Sequence, residues 1–394
     1  MTTTTTAPPD VDLAQRVAQT LPVLREHAGW GESNRRLHEE TLEALSGAGV
    51  FRMRIPARYG GYETDATTLL DVVAEIARGD GSAAWTVSAW SVSAWLAGHF
   101  PDHVQDEVFT PGARVCGVLS PSATATPAGG GDYLVNGRWG FVSGAHHSQW
   151  QVVLAMAPAP DGTSQWPVMA VVPMSGLSLL DDWHTMGLRA TGSVTTVAEN
   201  VRVPADRVVP LVSVLRGESA SQANPLSPVY RSPMIPTGCS TFTGPAVGMA
   251  RVALESFMAR LDRKMTYTDY PSRRDAPVTH LLVAEAAMKV EEAESHASRL
   301  AALTDAKCAA GEEWSQEERV RSRAYLGRVF HLADETASLL AAEGGGSSIR
   351  TSEPLQRVAR DLRALSTHAL MHSTTNAELY GRVLCGLEPN TMYV

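Results

Sequence analysis

The sequence predicts an α+β fold, mainly α, with a sheet set between two helical regions. Three observations predict it. Before about residue 112 apolar residues recur at helical spacing, and from about residue 240 long Ala-rich helical patterns return. Between about 113 and 210, short apolar runs alternate with Gly, Pro and Asp turns. The expected organisation is a disordered tail over 1–10, an N-terminal helical domain over 11–112, a central β domain over 113–212 and a C-terminal four-helix bundle over 225–394.

Each element has its own signal. The start, MTTTTTAPPD, has neither the basic nor the apolar stretch of a secretory signal and reads as an unstructured tail. In TDATTLLDVVAEIARGDG, Leu69, Val72, Val73 and Ile76 fall on one helix face, and Gly79 to Gly81 end it. YLVNGRW, WQVVLAMA and WPVMAVVP read as strands, and RGESASQANPLSPVYRSPM as a Ser/Pro-rich connector. Three long stretches follow, beginning HLLVAEAAMKV, RVRSRAYLGRV and PLQRVARDLRA. The third runs to GRVL at 381–384, and all three have lengths that suit a bundle.

Composition excludes several classes of function. The 394 residues are 44% hydrophobic and 19% charged, with a net charge of −9 and no dense Lys/Arg block, which argues against a nucleic-acid partner. No apolar run approaches a membrane span. Cys116, Cys239, Cys308 and Cys385 are scattered without a CxxC pair, so neither a disulfide framework nor a thiolate metal site is expected, and a reducing cytoplasm is.

Helices, then strands, then a long bundle is an unusual order, and the motifs within it resemble the acyl-CoA dehydrogenase fold. IPARYGGYETD resembles that superfamily's Pro-x-x-Tyr-Gly-Gly element. MGLRATGSVTTVAENVRVPADRVV resembles its Gly-x-Arg-x-Ser/Thr segment, and GPAVGMARVALE the start of its bundle. The resemblance spans about residues 11–390. An acyl-CoA dehydrogenase needs a carboxylate base to remove a proton from the substrate. Neither stretch that would carry it, THALMHSTTNAELYGR or IPTGCSTFTGPAVG, has a carboxylate at the aligned place.

Three stretches instead resemble the flavin-dependent monooxygenase branch of the fold: GDGSAAW, GRWGFVSGAHHSQW and PLQRVARDLRALSTH. Members of that branch are oxygenase components that receive reduced flavin, FMNH2 or FADH2, by diffusion from a separate NAD(P)H:flavin reductase. They use O2 through a C4a-hydroperoxyflavin. The resemblance implies hydroxylation of an aromatic small molecule, phenolic or indole-like, in a homotetramer or homodimer.

The chemistry suggests where each role falls. A flavin hydroperoxide needs a dry pocket and a hydrogen-bond partner at flavin N5. Ser143 suits that role, with Trp139 and Phe141 as alternate, same-side residues of an apolar wall and Gly144 beside them. His368 is the expected group that activates substrate or positions the peroxide, since an imidazole titrates at about 6.5; Asp361 is expected on the same helix face. The resemblance to the fold implies further cofactor candidates in Ser120, Arg263 and the Gly344, Gly345, Gly346 run, the glycines as a phosphate cradle that in this fold often comes from a neighbouring subunit. Trp85, Ser93, Trp95, His147 and His372 are substrate candidates. Ser93 stands where aromatic hydroxylases of this branch have a His.

Plainer readings compete with these. Ser143-Gly144 also reads as a strand-end turn, Trp139 and Phe141 as core, and the Gly run as a helix connector. The tryptophans at 85, 90 and 95, five apart, also read as helix–helix packing. His368 and His372 are spaced i,i+4, but Ala369 replaces the glutamate of a zinc motif, so no metal is expected. Oxygenation of nitrogen or sulfur, as on an amino sugar, remains the alternative reaction. Acyl-CoA oxidation and a non-catalytic fold relative are further competitors.

Overall fold

The computed structural model describes residues 10–394. Most of the expected tail lies outside them, and Asp10 already opens the first helix, α1 (Asp10–Asn34). The next helix, α2 (Glu39–Ala48), ends on Gly49, whose φ of 89° closes the turn. Helix α3 (Ala66–Gly79) starts on an Asp65 cap and buries Leu69, Val72, Val73 and Ile76, the face its sequence predicts. Asp80 then caps α4 (Gly81–Ala97), all of whose residues are buried. Its hydroxyls survive burial by bonding back one turn, as Ser88 does to the Ala84 carbonyl and Ser93 to Ala89. A short α5 (Asp102–Val108) completes this part.

The central sheet has eight strands: β1 (Val115–Val118), β2 (Ala123–Pro127), β3 (Tyr133–Trp139), β4 (Trp150–Pro158), β5 (Gln165–Pro173), β6 (Ser178–Leu180), β7 (Thr195–Val203) and β8 (Val208–Pro210). Their order is β6-β7-β3-β2-β4-β5-β8, with β1 parallel to β4. The continuous apolar runs of β4 and β5 pair along their whole length and form the buried middle of the sheet. Strand β1 and the turn after β3 face α4, so the edge of the sheet closes over the most buried helix.

After a short α6 (Leu211–Leu215) come α7 (Met234–Met258), α8 (Pro277–Ala310), α9 (Gln316–Glu343), α10 (Pro354–Ser366) and α11 (Ser373–Leu384). The glycines of the GPAVG stretch let α7 lie against α3: a Cβ on Gly248 would sit 2.1 Å from the Ala74 carbonyl oxygen. One expectation is corrected. The stretch from Pro354 to Leu384 is two helices, with a turn over 367–372 between them. The helical spacing of apolar residues persists across the break. A local side-chain bond competes with the helix here: the Leu370 N–H donates to the His368 ring.

Candidate active site

Successive tryptophans on α4 are rotated by about 140°, five residues at about 100° each. The three indoles therefore point to three different walls, and each N–H finds an acceptor. Trp85 donates to Ser143 Oγ (2.9 Å), Trp90 to Ser148 Oγ (3.0 Å) and Trp95 to the Val229 carbonyl (2.9 Å). A buried indole N–H needs such a partner.

Ser143 lies in the loop after β3. The strand stops at Trp139; Phe141, with a φ of 65°, then turns the chain over, and Gly144 follows with a φ of 72°. A Cβ on Gly144 would meet Trp90 Nε1 at 2.5 Å, so the loop fits against α4 only with glycine there. The Gly144 N–H donates to the Thr191 carbonyl and the Val142 N–H to Val194, which fastens the loop to the 188–194 turn.

A chain of hydroxyls runs through this junction, and its direction follows from counting hydrogens. Thr191 Oγ1 donates to the Leu188 carbonyl (2.8 Å), so in its 2.6 Å contact with Ser193 it accepts. Ser193 has then used its hydrogen, so Ser143 donates in the 2.8 Å contact with Ser193. Trp85 in turn donates to Ser143. The hydrogen of Ser143 is committed, and what it still offers is a lone pair.

Asp361 supports the far end of this chain. Its Oδ1 accepts the Leu188 N–H at 2.6 Å, and its neighbour Arg360 bonds the Met186 carbonyl and pairs with Glu32. Complete burial, with Asp80 adding repulsion, pushes the Asp361 carboxyl up to about 7. The Arg-Asp pair therefore clamps the 186–188 turn. His368 lies beyond the end of α10, so the expectation that Asp361 and His368 share a helix face does not hold.

His368 sits in the 367–372 turn, its ring 5.6 Å from the Trp85 ring. Its Nδ1 accepts the Leu370 N–H (3.1 Å), so the neutral ring carries its proton on Nε2. Surrounding protein lowers its pKa to about 4. The ring is nonetheless exposed to the space beside it, where water offsets part of that shift until a ligand fills the gap. At neutral pH the site therefore holds an N–H donor at this position.

Trp85, Ser93, Ser120, Phe141, Ser143 and His368 all line one cavity of about 470 Å³, between α4, β1, α7 and the 367–372 turn. Other expected site residues lie elsewhere. Trp139 is fully buried in the sheet, donating to the Leu154 carbonyl, while Phe141 is 71% exposed at the rim. The two are not one wall, because β3 stops at Trp139 and Phe141, beyond it and at a positive φ, no longer follows the strand alternation. Trp95 is core, packed on His99. Gly144 serves the Trp90 contact. His147 packs under the loop, burial holding its pKa near 4, and exposed His372 stands at the start of α11 without a side-chain capping bond. Arg263 does meet the glycine run, through Ser347 Oγ at 3.3 Å. That cluster sits at the start of α10, and the 13 residues of the helix, about 20 Å, separate it from the turn bearing His368.

Four residues at this site were not singled out from the sequence. Thr191 and Ser193 lie inside the quoted GLRATGS stretch, but only the fold brings them to Ser143. Phe242 on α7 stacks on Trp85 with centroids 5.0 Å apart. Arg323 on α9 lines the cavity, and an arginine in an Ala-rich helix carries no sequence sign of burial.

The fold and this cavity define the class of protein, and comparison with known proteins agrees. Residues 12–113 match the acyl-CoA dehydrogenase N-terminal domain and residues 240–373 its C-terminal domain. The chain is 30% identical to the oxygenase subunit HsaA of a flavin-dependent monooxygenase from Rhodococcus jostii (strain RHA1), over 95% of this chain and 98% of that one. It is 29% identical to the oxygenase component of an FADH2-dependent resorcinol hydroxylase from Rhizobium sp. (strain MTP-10005), over 98% and 97%. Among solved structures, XiaF from Streptomyces sp. in complex with FADH2 and glycerol superposes with a TM-score of 0.92 at 28% identity, covering 98% of each chain. The chain belongs to the oxygenase components of flavin-dependent monooxygenases built on the acyl-CoA dehydrogenase fold. It is an enzyme that uses reduced flavin and O2, with a small-molecule substrate and a separate flavin reductase. Among the described residues no helix is long and apolar enough to cross a membrane.

Proposed function

We propose that this oxygenase hydroxylates an electron-rich aromatic molecule held in the cavity between Ser143 and His368. The observation that carries the reading is the directed hydroxyl chain, which leaves Ser143 a lone pair and no hydrogen beside a largely apolar space. Reduced flavin carries an N–H at N5 and oxidised flavin does not, so the residues present fit the reduced cofactor. Bound there, the flavin supplies the oxygen-activating chemistry. Ser143 would hold the reduced cofactor by accepting its N5–H, and Trp85 and Phe242 would exclude water. The His368 Nε2–H would be the donor that orients the substrate's hydroxyl or an oxygen beside it. The proton on Nε2 favours this positioning role over that of a base.

The aromatic substrate class is supported by the stacked Trp85 and Phe242 rings, and by relatives named as hydroxylases of resorcinol and p-hydroxyphenylacetate. An amine substrate finds no Asp or Glu in the cavity lining, which leaves the nitrogen alternative without a partner group. The same absence argues against acyl-CoA oxidation. A homodimer or homotetramer is supported by the separation of the Arg263–Ser347 contact beside the glycine run from the cavity; a second copy would bring such a cluster to the tail of the flavin. The four free cysteines support a reducing cytoplasm. The three-domain division at 11–112, 113–212 and 225–394 is our reading of the helix–sheet–helix order.

The deciding experiment is rapid mixing. Protein loaded anaerobically with reduced FMN, and separately with FADH2, is mixed with oxygenated buffer. A persistent near-ultraviolet transient before oxidised flavin appears is expected. Direct conversion to oxidised flavin with both cofactors would overturn the reading.

A further inference from the structure

We infer that Arg323 is the anchor for a carboxylate on the substrate, so that the enzyme acts on an aromatic acid. This deepens the proposed function and rests on its placing the substrate in this cavity. Arg323 lines the cavity while only 8% exposed, and it is the one permanently charged side chain in the lining, which holds no Asp or Glu. Its bonds satisfy only part of the guanidinium. Nε donates to Asn376 Oδ1 (2.9 Å) and Nη1 to the Tyr393 carbonyl (3.0 Å). Both partners are neutral, and Nη2 has no hydrogen-bond partner among the described residues. The titratable group acting on it is the fully buried Cys239 thiol, which burial pushes up to about 12 and so keeps neutral.

A buried cation without an anion is costly unless a ligand supplies the charge. The matching ligand group is a planar monoanion, because a guanidinium pairs with a carboxylate one charge to one. The phosphate of a flavin is the other anion that reaches this fold. Its second charge would stay uncompensated in a wall with no other cation, so the carboxylate is the better match.

The anchor is also wired to the reacting end. Asn376, which accepts from Arg323, donates through Nδ2 to the Leu370 carbonyl (2.7 Å), and the Leu370 N–H donates to His368 Nδ1. An acid seated on Arg323 therefore stiffens the turn that carries His368.

The test measures binding calorimetrically, without flavin or turnover, for two matched pairs: indole-3-acetate against indole-3-acetamide, and 6-hydroxy-2-naphthoate against its amide. We expect at least one acid to bind at least about tenfold tighter than its amide, the worth of one charge-assisted pair. In Arg323→Met the preference should vanish while amide affinity stays within about threefold, and Arg323→Lys should keep part of it. No acid preference in either pair, including no binding, overturns the proposal, and wild-type protein alone suffices to see it. Equal weakening of acid and amide in Arg323→Met overturns it in favour of a structural tie to the C-terminal segment. A selective loss of affinity for reduced FMN over reduced riboflavin in that variant overturns it in favour of the flavin phosphate. Because these readouts need no oxygen chemistry, an acid preference without a near-ultraviolet transient would sink the proposed reaction and leave the anchor standing.

Discussion

Trp85 and Ser143, 58 residues apart in the chain, meet through a hydrogen bond of 2.9 Å at the wall of the cavity. One belongs to the most buried helix and the other to the loop at the edge of the sheet. Neither is independent of the other. The indole holds the hydroxyl, and the hydroxyl satisfies an indole N–H that burial would otherwise leave unpaired.

Replacing Ser143 with Ala removes both the lone pair and the acceptor of Trp85. The near-ultraviolet transient should decay roughly tenfold faster, the cost of about one hydrogen bond. Ser193→Ala frees the Ser143 hydrogen to turn toward the ligand. Its expected signature is a smaller preference for reduced over oxidised flavin in anaerobic titrations. An unchanged preference would mean that the direction of the chain does not matter.

His368→Ala should lower product formed per flavin oxidised by about tenfold, and change reduced-flavin affinity by less than about twofold. His368→Gln, which keeps a donor, should retain more of the product. The protein holds the ring's pKa near 4, against about 6.5 for a free imidazole. Lowering the pH from 7 to 5 therefore should not protonate it in the filled cavity. Product yield should show no His368-dependent inflection near 6.5; one that disappears in His368→Gln would contradict this.

Asp361 makes stability depend on pH in an unusual direction. In the folded protein it keeps its proton up to about pH 7, whereas in the unfolded chain it loses it near 3.8. Between those values the folded state binds more protons, so its contribution is present at low pH and is lost as pH rises. Asp361→Asn should gain on the order of 1–3 kcal/mol relative to wild type between pH 5 and 8, read from denaturant melts at each pH.

Gly144→Ala places a methyl 2.5 Å from Trp90 Nε1 and forces a side chain into a φ of 72°. A loss of about 2–4 kcal/mol is expected, together with faster decay of the transient. Gly162→Ala is the control. It has a similar φ of 68° with nothing within 4 Å, so about 1 kcal/mol of backbone cost should be its whole effect. Equal losses would show that the Trp90 contact is unimportant.

The three-part order was legible because it rests on periodicity, and the buried face of α3 follows from its sequence spacing. Ser143, Trp85, Ser93 and Ser120 were legible as cavity residues from motifs. The break after Ser366 was not, because apolar spacing continues from Leu362 and Leu365 to Met371 and Leu379 while a local side-chain bond competes with the helix. Trp139 and Phe141 misled for a related reason: a strand pattern says nothing about the residue at which the strand ends. Thr191 and Ser193 act only across a chain crossing, and Arg323 has no local mark at all.

The three indoles of α4 also determine where this enzyme can adapt. Each ties the helix to a different neighbour, so exchanging Trp85 for a smaller residue to admit a larger substrate also loosens the loop that carries Ser143. Val92, Leu96, Met234 and Ile235 line the same cavity with side chains that have no polar group to satisfy. Evolution, or a designer's library, can remodel these positions for a new ring system without leaving an indole N–H unpaired. In this cavity, Trp85 is tied to the Ser143 loop, while the aliphatic positions carry no such tie.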